Sequence, residues 1–145
     1  PFIPQETIEE AAKIAEADPF IREMPEGYDS PISQGGKNVS GGQKQRLCIA
    51  RAIATGAEIL IFDDSFSALD YKTDRKVREN LAEYANGTTK LIVAQRIGTI
   101  MDADLIVVLD EGKAVGMGKH KDLLRDCPVY REIALSQLSK EELGL

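Results

Sequence analysis

Asn38-Val39-Ser40-Gly41-Gly42-Gln43-Lys44-Gln45-Arg46 runs straight into Leu47–Ala54, where every residue except Arg51 is apolar. The four-residue apolar run Ile59-Leu60-Ile61-Phe62 follows and ends on Asp63-Asp64. A Ser-Gly-Gly start to a helix presents unpaired backbone N–H groups at the positive end of the helix dipole. Gly41 and Gly42 lack Cβ atoms, so an anion can approach that backbone closely, and Ser40 adds a hydroxyl. The plain alternative is a Ser N-cap followed by flexible glycines. The near-continuous apolar character of Leu47–Ala54 predicts a helix buried almost all round, with Cys48 a small core residue. A carboxylate at the C-terminal end of a buried strand occupies the place where α/β sheets put ligand-binding groups. For Asp63-Asp64, a simple turn is the competing reading.

Working outward, two more short apolar runs appear, Leu91-Ile92-Val93-Ala94 and Leu105-Ile106-Val107-Val108-Leu109. Continuous runs predict strands covered on both faces, hence a parallel sheet flanked by helices. The intervening helix carries Val77, Leu81 and Tyr84 on one face. Asp110-Glu111-Gly112-Lys113 reads as a turn into an antiparallel strand from Ala114 to Met117, and two helices close the chain near 119–125 and 129–138. Upstream, Thr7 and Glu10 suggest a capping box ahead of Ile8, Ala11, Ala12 and Ala15. Asp18-Pro19 opens a second helix through Met24, and a Pro/Gly-rich loop then runs from Pro25 to Asn38.

Length and composition narrow the function classes. The chain has 145 residues, enough for one domain. A net charge of -6 argues against a non-specific binder of nucleic acid or anionic membranes, which needs a basic face. The longest apolar run has five residues, Leu105 to Leu109, far short of a membrane span, so a soluble chain is expected. Cys48 and Cys127 form no disulfide framework or metal-ligand pattern. The only histidine, His120, stands in a polar Lys-His-Lys helix start and is expected at the surface. Glu9-Glu10 and Glu141-Glu142 read as solvated helix faces.

Two further stretches carry chemistry: Ser65-Phe66-Ser67-Ala68-Leu69-Asp70, where Asp70 is also a plausible N-cap, and Ala94-Gln95-Arg96 at a strand end. In order and spacing the whole set resembles the nucleotide-binding domain of an ATP-binding-cassette (ABC) exporter of the multidrug type. Asn38–Arg46 looks like the family's signature motif, Ile59–Asp63 like the Walker B strand and Ser67–Asp70 like the D-loop, while Gln95 falls at the switch-histidine position. The match runs on through Leu105–Lys113 and Gly118–Leu124 to Tyr130 and Gln137.

The resemblance implies an α/β fold, the second half of a RecA-like P-loop ATPase core with parallel strands flanked by helices. Residues 1–40 would be part of the helical subdomain and the loop before the signature, and 41–145 the signature helix and C-terminal half of the core. No Gly-Lys pair here is followed by Ser or Thr, so no phosphate-binding loop is present in these residues. The resemblance further implies ATP and Mg²⁺ as cofactors, with Asp63 toward Mg²⁺ and Asp64 at the catalytic-glutamate position. Ser40, Gly41, Gly42 and Gln43 would face ATP held by a second nucleotide-binding domain in a head-to-tail dimer, and Asp70 would be the cofactor-binding residue of the D-loop. Ser33-Gln34-Gly35-Gly36 lies where exporters touch their transmembrane domains, at the cytoplasmic face of the membrane; nucleic acid is not an expected partner. Asp64 in place of Glu and Gln95 in place of His imply the degenerate-site subunit of a heterodimer. The alternatives are a non-transport ABC-family ATPase and a non-catalytic nucleotide-sensing module.

Overall fold

The computed structural model describes residues 2–84 and 87–145, which form two compact units divided between Val93 and Ala94.

The first unit contains α1 (Gln5–Ile14), α2 (Asp18–Glu23), α3 (Gly41–Ala54), β1 (Ile59–Asp63), α4 (Tyr71–Tyr84) and β2 (Thr89–Val93). β1 and β2 pair in parallel, with Ile59 opposite Thr89 and Asp63 opposite Val93. The parallel, helix-flanked arrangement expected from the sequence is what forms. Its core joins Ala11, Ala12 and Ala15 of the α1 region to Ile49 and Ile53 of α3, Leu60 and Phe62 of β1, and Val77 and Leu81 of α4. Alanines on α1 let α3 approach closely. Phe62 and Phe66 meet at 5.6 Å between ring centroids, so the chain leaving β1 folds back onto its own core.

Side-chain bonds to backbone hold these elements in place. Arg46 Nη1 donates to the Glu16 carbonyl (2.6 Å) while its guanidinium lies 4.8 Å over the Phe20 ring. Asn80 Nδ2 donates to the Ile14 carbonyl and to Glu16 Oε1, joining α4 to the end of α1. In the loop before α3, Asn38 Oδ1 accepts from the Ser33 N–H and hydroxyl, and its Nδ2 donates to the Pro31 carbonyl.

Four expectations for this unit are corrected. Strand cover is one-sided: Leu60 and Phe62 are buried, but Ile59 and Ile61 are 61% and 65% exposed, and Leu91 and Val93 are exposed on β2. The helices of this unit pack on one face of the pair. For the same reason α3 buries only one stripe, Ile49, Ala50 and Ile53, and Cys48 is exposed rather than core. The Thr7–Glu10 capping box does not form. Helix α1 starts earlier, after Pro4, whose extended conformation and carbonyl open the helix without a side-chain cap. Tyr84, at the end of the α4 face, is exposed.

The second unit contains α5 (Ile97–Ile100), β3 (Ile106–Asp110), β4 (Lys113–Gly118), α6 (His120–Asp126) and α7 (Pro128–Gln137). β3 and β4 form the expected antiparallel hairpin, but β3 lies in this two-stranded sheet and not in the parallel one expected for it. Only one face of it is covered: Ile106 and Val108 are buried, whereas Val107 and Leu109, and Leu105 just before the strand, are exposed. Glu111 and Gly112 both have positive φ (45° and 76°), the two-residue turn whose twist matches that of the paired strands. Ile106, Val108, Leu123, Leu124, Cys127, Tyr130 and Ala134 make the core. Gly116 is required where it stands, because a Cβ there would lie 2.7 Å from Cys127 Sγ. Glu141 and Glu142 are exposed but lie in a turn rather than a helix, where Glu142 Oε2 accepts from the Ser139 N–H and hydroxyl.

His120 departs most from its expected place. It is 9% exposed, and its Nδ1 lies 2.7 Å from the Tyr130 hydroxyl, because Lys119 takes the N-cap of α6 and turns the first helical residue inward. Burial pushes the imidazole below its ordinary value, opposed by the charge of Asp102 and reinforced by Lys121; burial also pushes the Tyr130 phenol up to about 12. The unfolded chain therefore takes up a proton near pH 6.5 that the folded chain resists, so stability falls as the pH drops through that value. Thermal melts at pH 7.5 and 5.5 are expected to show a larger loss of Tm in the native protein than in His120→Gln. An equal loss would show that His120 is not the titrating group.

Candidate nucleotide half-site

The start of α3 is built by reciprocal capping. Ser40 Oγ accepts from the Gln43 N–H (3.1 Å), and Gln43 Oε1 accepts from the Ser40 N–H (2.9 Å). Both the Ser-cap reading and the polar helix start are thus present in the same residues. No acidic residue stands in the first turn, so the helix dipole there is not neutralised by the chain's own carboxylates. Lys44 Nζ donates to the Gly35 carbonyl, which brings the Ser33–Gly36 turn to the same end of the helix.

The loop after β1 lies against this helix start. A Cβ on Gly42 would come within 3.1 Å of the Ala68 carbonyl oxygen, whereas one on Gly41 would meet Ala68 Cβ at an ordinary 3.6 Å. The glycine that the packing requires is therefore Gly42, while Gly41 has room.

Asp63 ends β1 with an exposed carboxylate that makes no hydrogen bond or ion pair among the described residues. Asp64 follows in a left-handed conformation (φ 50°), which short polar side chains tolerate better than most. Its N–H donates to the Val93 carbonyl, and its carboxylate accepts from the Ser67 hydroxyl at 3.0 Å.

Asp70 caps α4. Its Oδ1 accepts from the Thr73 N–H and its Oδ2 from the Thr73 hydroxyl, at 3.0 and 2.7 Å. These bonds, the backbone one first, hold its carboxyl below the usual value.

Ser40, Gly41, Gly42, Gln43, Asp63, Asp64 and Asp70 all belong to the first unit. Gln95 belongs to the second. There it is exposed, and its carbonyl accepts from Gln137 Nε2 (2.8 Å), while Gln137 Oε1 takes the Ile97 N–H.

One residue of the signature stretch has a role that its sequence position did not announce. Gln45 Oε1 accepts from the Ala68 N–H (2.8 Å), and its Nε2 donates to both the Asp64 carbonyl and Ser67 Oγ (3.0 Å each). Only its place in a polar stretch beside an apolar run hinted at a structural task.

As for metal, no cluster of three or more His, Cys, Asp or Glu side chains forms among the described residues. The open carboxylate of Asp63 fits a single ligand to a hard cation whose other oxygens come from phosphates and water.

A family model described as "ABC transporter" matches residues 1–67. The chain is 46% identical over 135 residues to the uncharacterized ABC transporter ATP-binding protein Rv1273c of Mycobacterium tuberculosis, covering 93% of this chain and 23% of that protein. It is 43% identical over 126 residues to the alpha-hemolysin translocation ATP-binding protein HlyB of Proteus vulgaris, covering 87% and 18%. A solved bacterial Atm1-family ABC exporter with ATP bound superposes with a TM-score of 0.89 at 37% identity, over 94% of this chain and 24% of that one. Over 87–94% of its own length the chain is thus similar to ATP-binding proteins of ABC transporters and to a solved ABC exporter. It spans about a fifth of the length of these relatives. The α/β fold expected from the sequence is that of an exporter ATP-binding domain. No helix among the described residues is long and apolar enough to cross a membrane.

The two glycines at the start of α3 predict opposite outcomes on mutation. Gly41→Ala should leave stability unchanged or slightly raised, since alanine favours a helix. Gly42→Ala should cost on the order of 1–3 kcal/mol, the usual range for overpacking, because Gln45 holds the Ala68 N–H and limits how far that carbonyl can retreat. Denaturant unfolding of the two variants checks this; equal stabilities would show that the loop yields freely.

Proposed function

We propose that this chain supplies part of the ATP-driven motor of an ABC exporter, in which ATP binding and hydrolysis are coupled to movement of a substrate across a membrane. The observation that carries the reading is the anion-accepting start of α3 lying against the carboxylate-bearing loop after β1, in a chain similar to exporter ATP-binding domains. Residues 1–40 would then belong to the helical subdomain and 41–145 to the signature helix and the C-terminal half of the ATPase core. Transmembrane domains and a second ATP-binding domain complete the machine at the cytoplasmic face of the membrane.

Each residue acts by its own chemistry. Ser40, Gly41, Gly42 and Gln43 form a helix start suited to a γ-phosphate held by the other domain: the Ser40–Gln43 cap holds its shape, and the Ser40 hydroxyl and the Gly41 and Gly42 N–H groups, which the cap does not use, donate to the phosphate oxygens. Asp63 would hold Mg²⁺, which when bound neutralises phosphate charge. Asp70 orders the D-loop by capping α4. Asp64 and Gln95 stand at positions where such ATPases use glutamate and histidine. An aspartate is one methylene shorter than glutamate, and a misplacement of about 1 Å can cost on the order of 100-fold in rate. The Asp64 carboxylate is also engaged within its own loop, where it accepts from the Ser67 hydroxyl. The subunit therefore reads as the slow half of a heterodimer, its signature completing the fast site of its partner.

In the assembled transporter, Gly41→Asp should lower ATP turnover by about 100- to 1000-fold, with nucleotide affinity nearly unchanged, because the contact forms on closure. Packing within this chain leaves room at Gly41, so the loss would report the phosphate contact. Asp64→Asn in the same complex should change turnover by less than about tenfold. The reverse ranking would assign the fast site to this subunit's own carboxylates.

A further inference from the structure

We propose that Gln45 is a positioning residue that couples the signature end of α3 to Asp64 and the D-loop, so that events at one ATP site are transmitted to the other through a single amide. The inference rests on the exporter-ATPase reading above and names a linkage within it.

Gln45 lies one helical turn beyond the start of α3, and its side chain reaches residues nineteen to twenty-three positions later in sequence. It spends both donors and one acceptor lone pair on one loop: Oε1 takes the Ala68 N–H, and Nε2 gives one bond to the Asp64 carbonyl and one to Ser67 Oγ. The orientation of the amide is dictated by the backbone, since an N–H can only be met by Oε1 and a carbonyl only by Nε2. Ser67 carries the linkage to the chemistry, because its hydroxyl lies 3.0 Å from Asp64 Oδ2 and 3.2 Å from the Asp64 carbonyl.

Helix α3 does not need Gln45 to form. Its start is closed by Ser40 and Gln43, and Arg46 ties it to Glu16 and Phe20. Nor does the start of α4, which Asp70 and Thr73 close. What Gln45 adds is a fixed distance between two elements that are each already built. When α3 shifts toward a phosphate on the partner domain, the loop carrying Asp64 must follow it, because Gln45 grips both ends of the loop. Gly42 against the Ala68 carbonyl supplies the contact that transmits the push, and Gln45 supplies the pull.

The test uses the full-length transporter with two variants. Gln45→Glu keeps an acceptor for the Ala68 N–H but cannot donate to Asp64 or Ser67, whereas Gln45→Leu removes all three bonds. Two readouts are taken: hydrogen exchange of the 64–69 backbone with and without ATP, and steady-state ATPase. The expected result is faster exchange at Ala68 in Gln45→Leu but not in Gln45→Glu. In both variants kcat should fall by about tenfold with KM for ATP changed by less than about twofold, and ATP should no longer alter exchange in 64–69 while still protecting residues 41–44. Wild-type kcat in both variants would overturn the coupling while leaving the ATPase reading intact. A rise in KM with kcat unchanged would also overturn it, by assigning Gln45 to ground-state binding. A wild-type complex without ATP turnover would overturn the functional reading itself.

Discussion

The seam between the start of α3 and the loop after β1 is the constraint on which the rest of the first unit depends. Gly42 sets the closest approach of the two backbones at the Ala68 carbonyl, and the Gln45 amide fixes their register. Because β1 delivers Asp63 and Asp64 into that loop and α4 begins just beyond it, one short interface sets the positions of the helix start, both carboxylates and the Asp70 cap relative to one another. A residue with any side chain at position 42, or a shorter one at 45, would separate elements that are individually sound.

Energetically the seam is small compared with the core beneath it. Ile49, Ile53, Leu60, Phe62, Val77 and Leu81 are buried together, and burying side chains of this size contributes about 1.5–3 kcal/mol each. A hydrogen bond of the Gln45 kind contributes only about 0.5–1.5 kcal/mol net. The core thus holds the unit together, and the seam determines where functional groups sit within it.

Much of this was legible in local sequence, and what was not has physical reasons. Ser-Gly-Gly before an apolar run specifies a capped helix, and the short apolar runs specify the parallel β1–β2 pair and the β3–β4 hairpin, because capping, strand and turn preferences act within a few residues. The exposed faces of β1, β2 and β3 depart from expectation, since a run such as Ile59–Phe62 records where a strand could be covered and not which cover the chain itself provides. Cys48 departs for the same reason. His120 was hidden by its charged neighbours: Lys119 and Lys121 point to solvent chemistry, but the helix start turns the residue between them onto Tyr130. Gln45 has little local sign beyond its polar neighbours, because its partners are nineteen or more residues away.

The central claim is that the two ATP sites of the assembled transporter are unequal and that this chain's signature serves the faster one. Rapid-quench measurement of phosphate released in the first turnover of the fully ATP-loaded complex tests it most directly. The account predicts a fast phase accounting for half of the bound ATP, abolished by Gly41→Asp in this chain and preserved in Asp64→Asn. A single fast phase consuming all of the bound ATP, or a half-amplitude phase lost in Asp64→Asn and kept in Gly41→Asp, would contradict it.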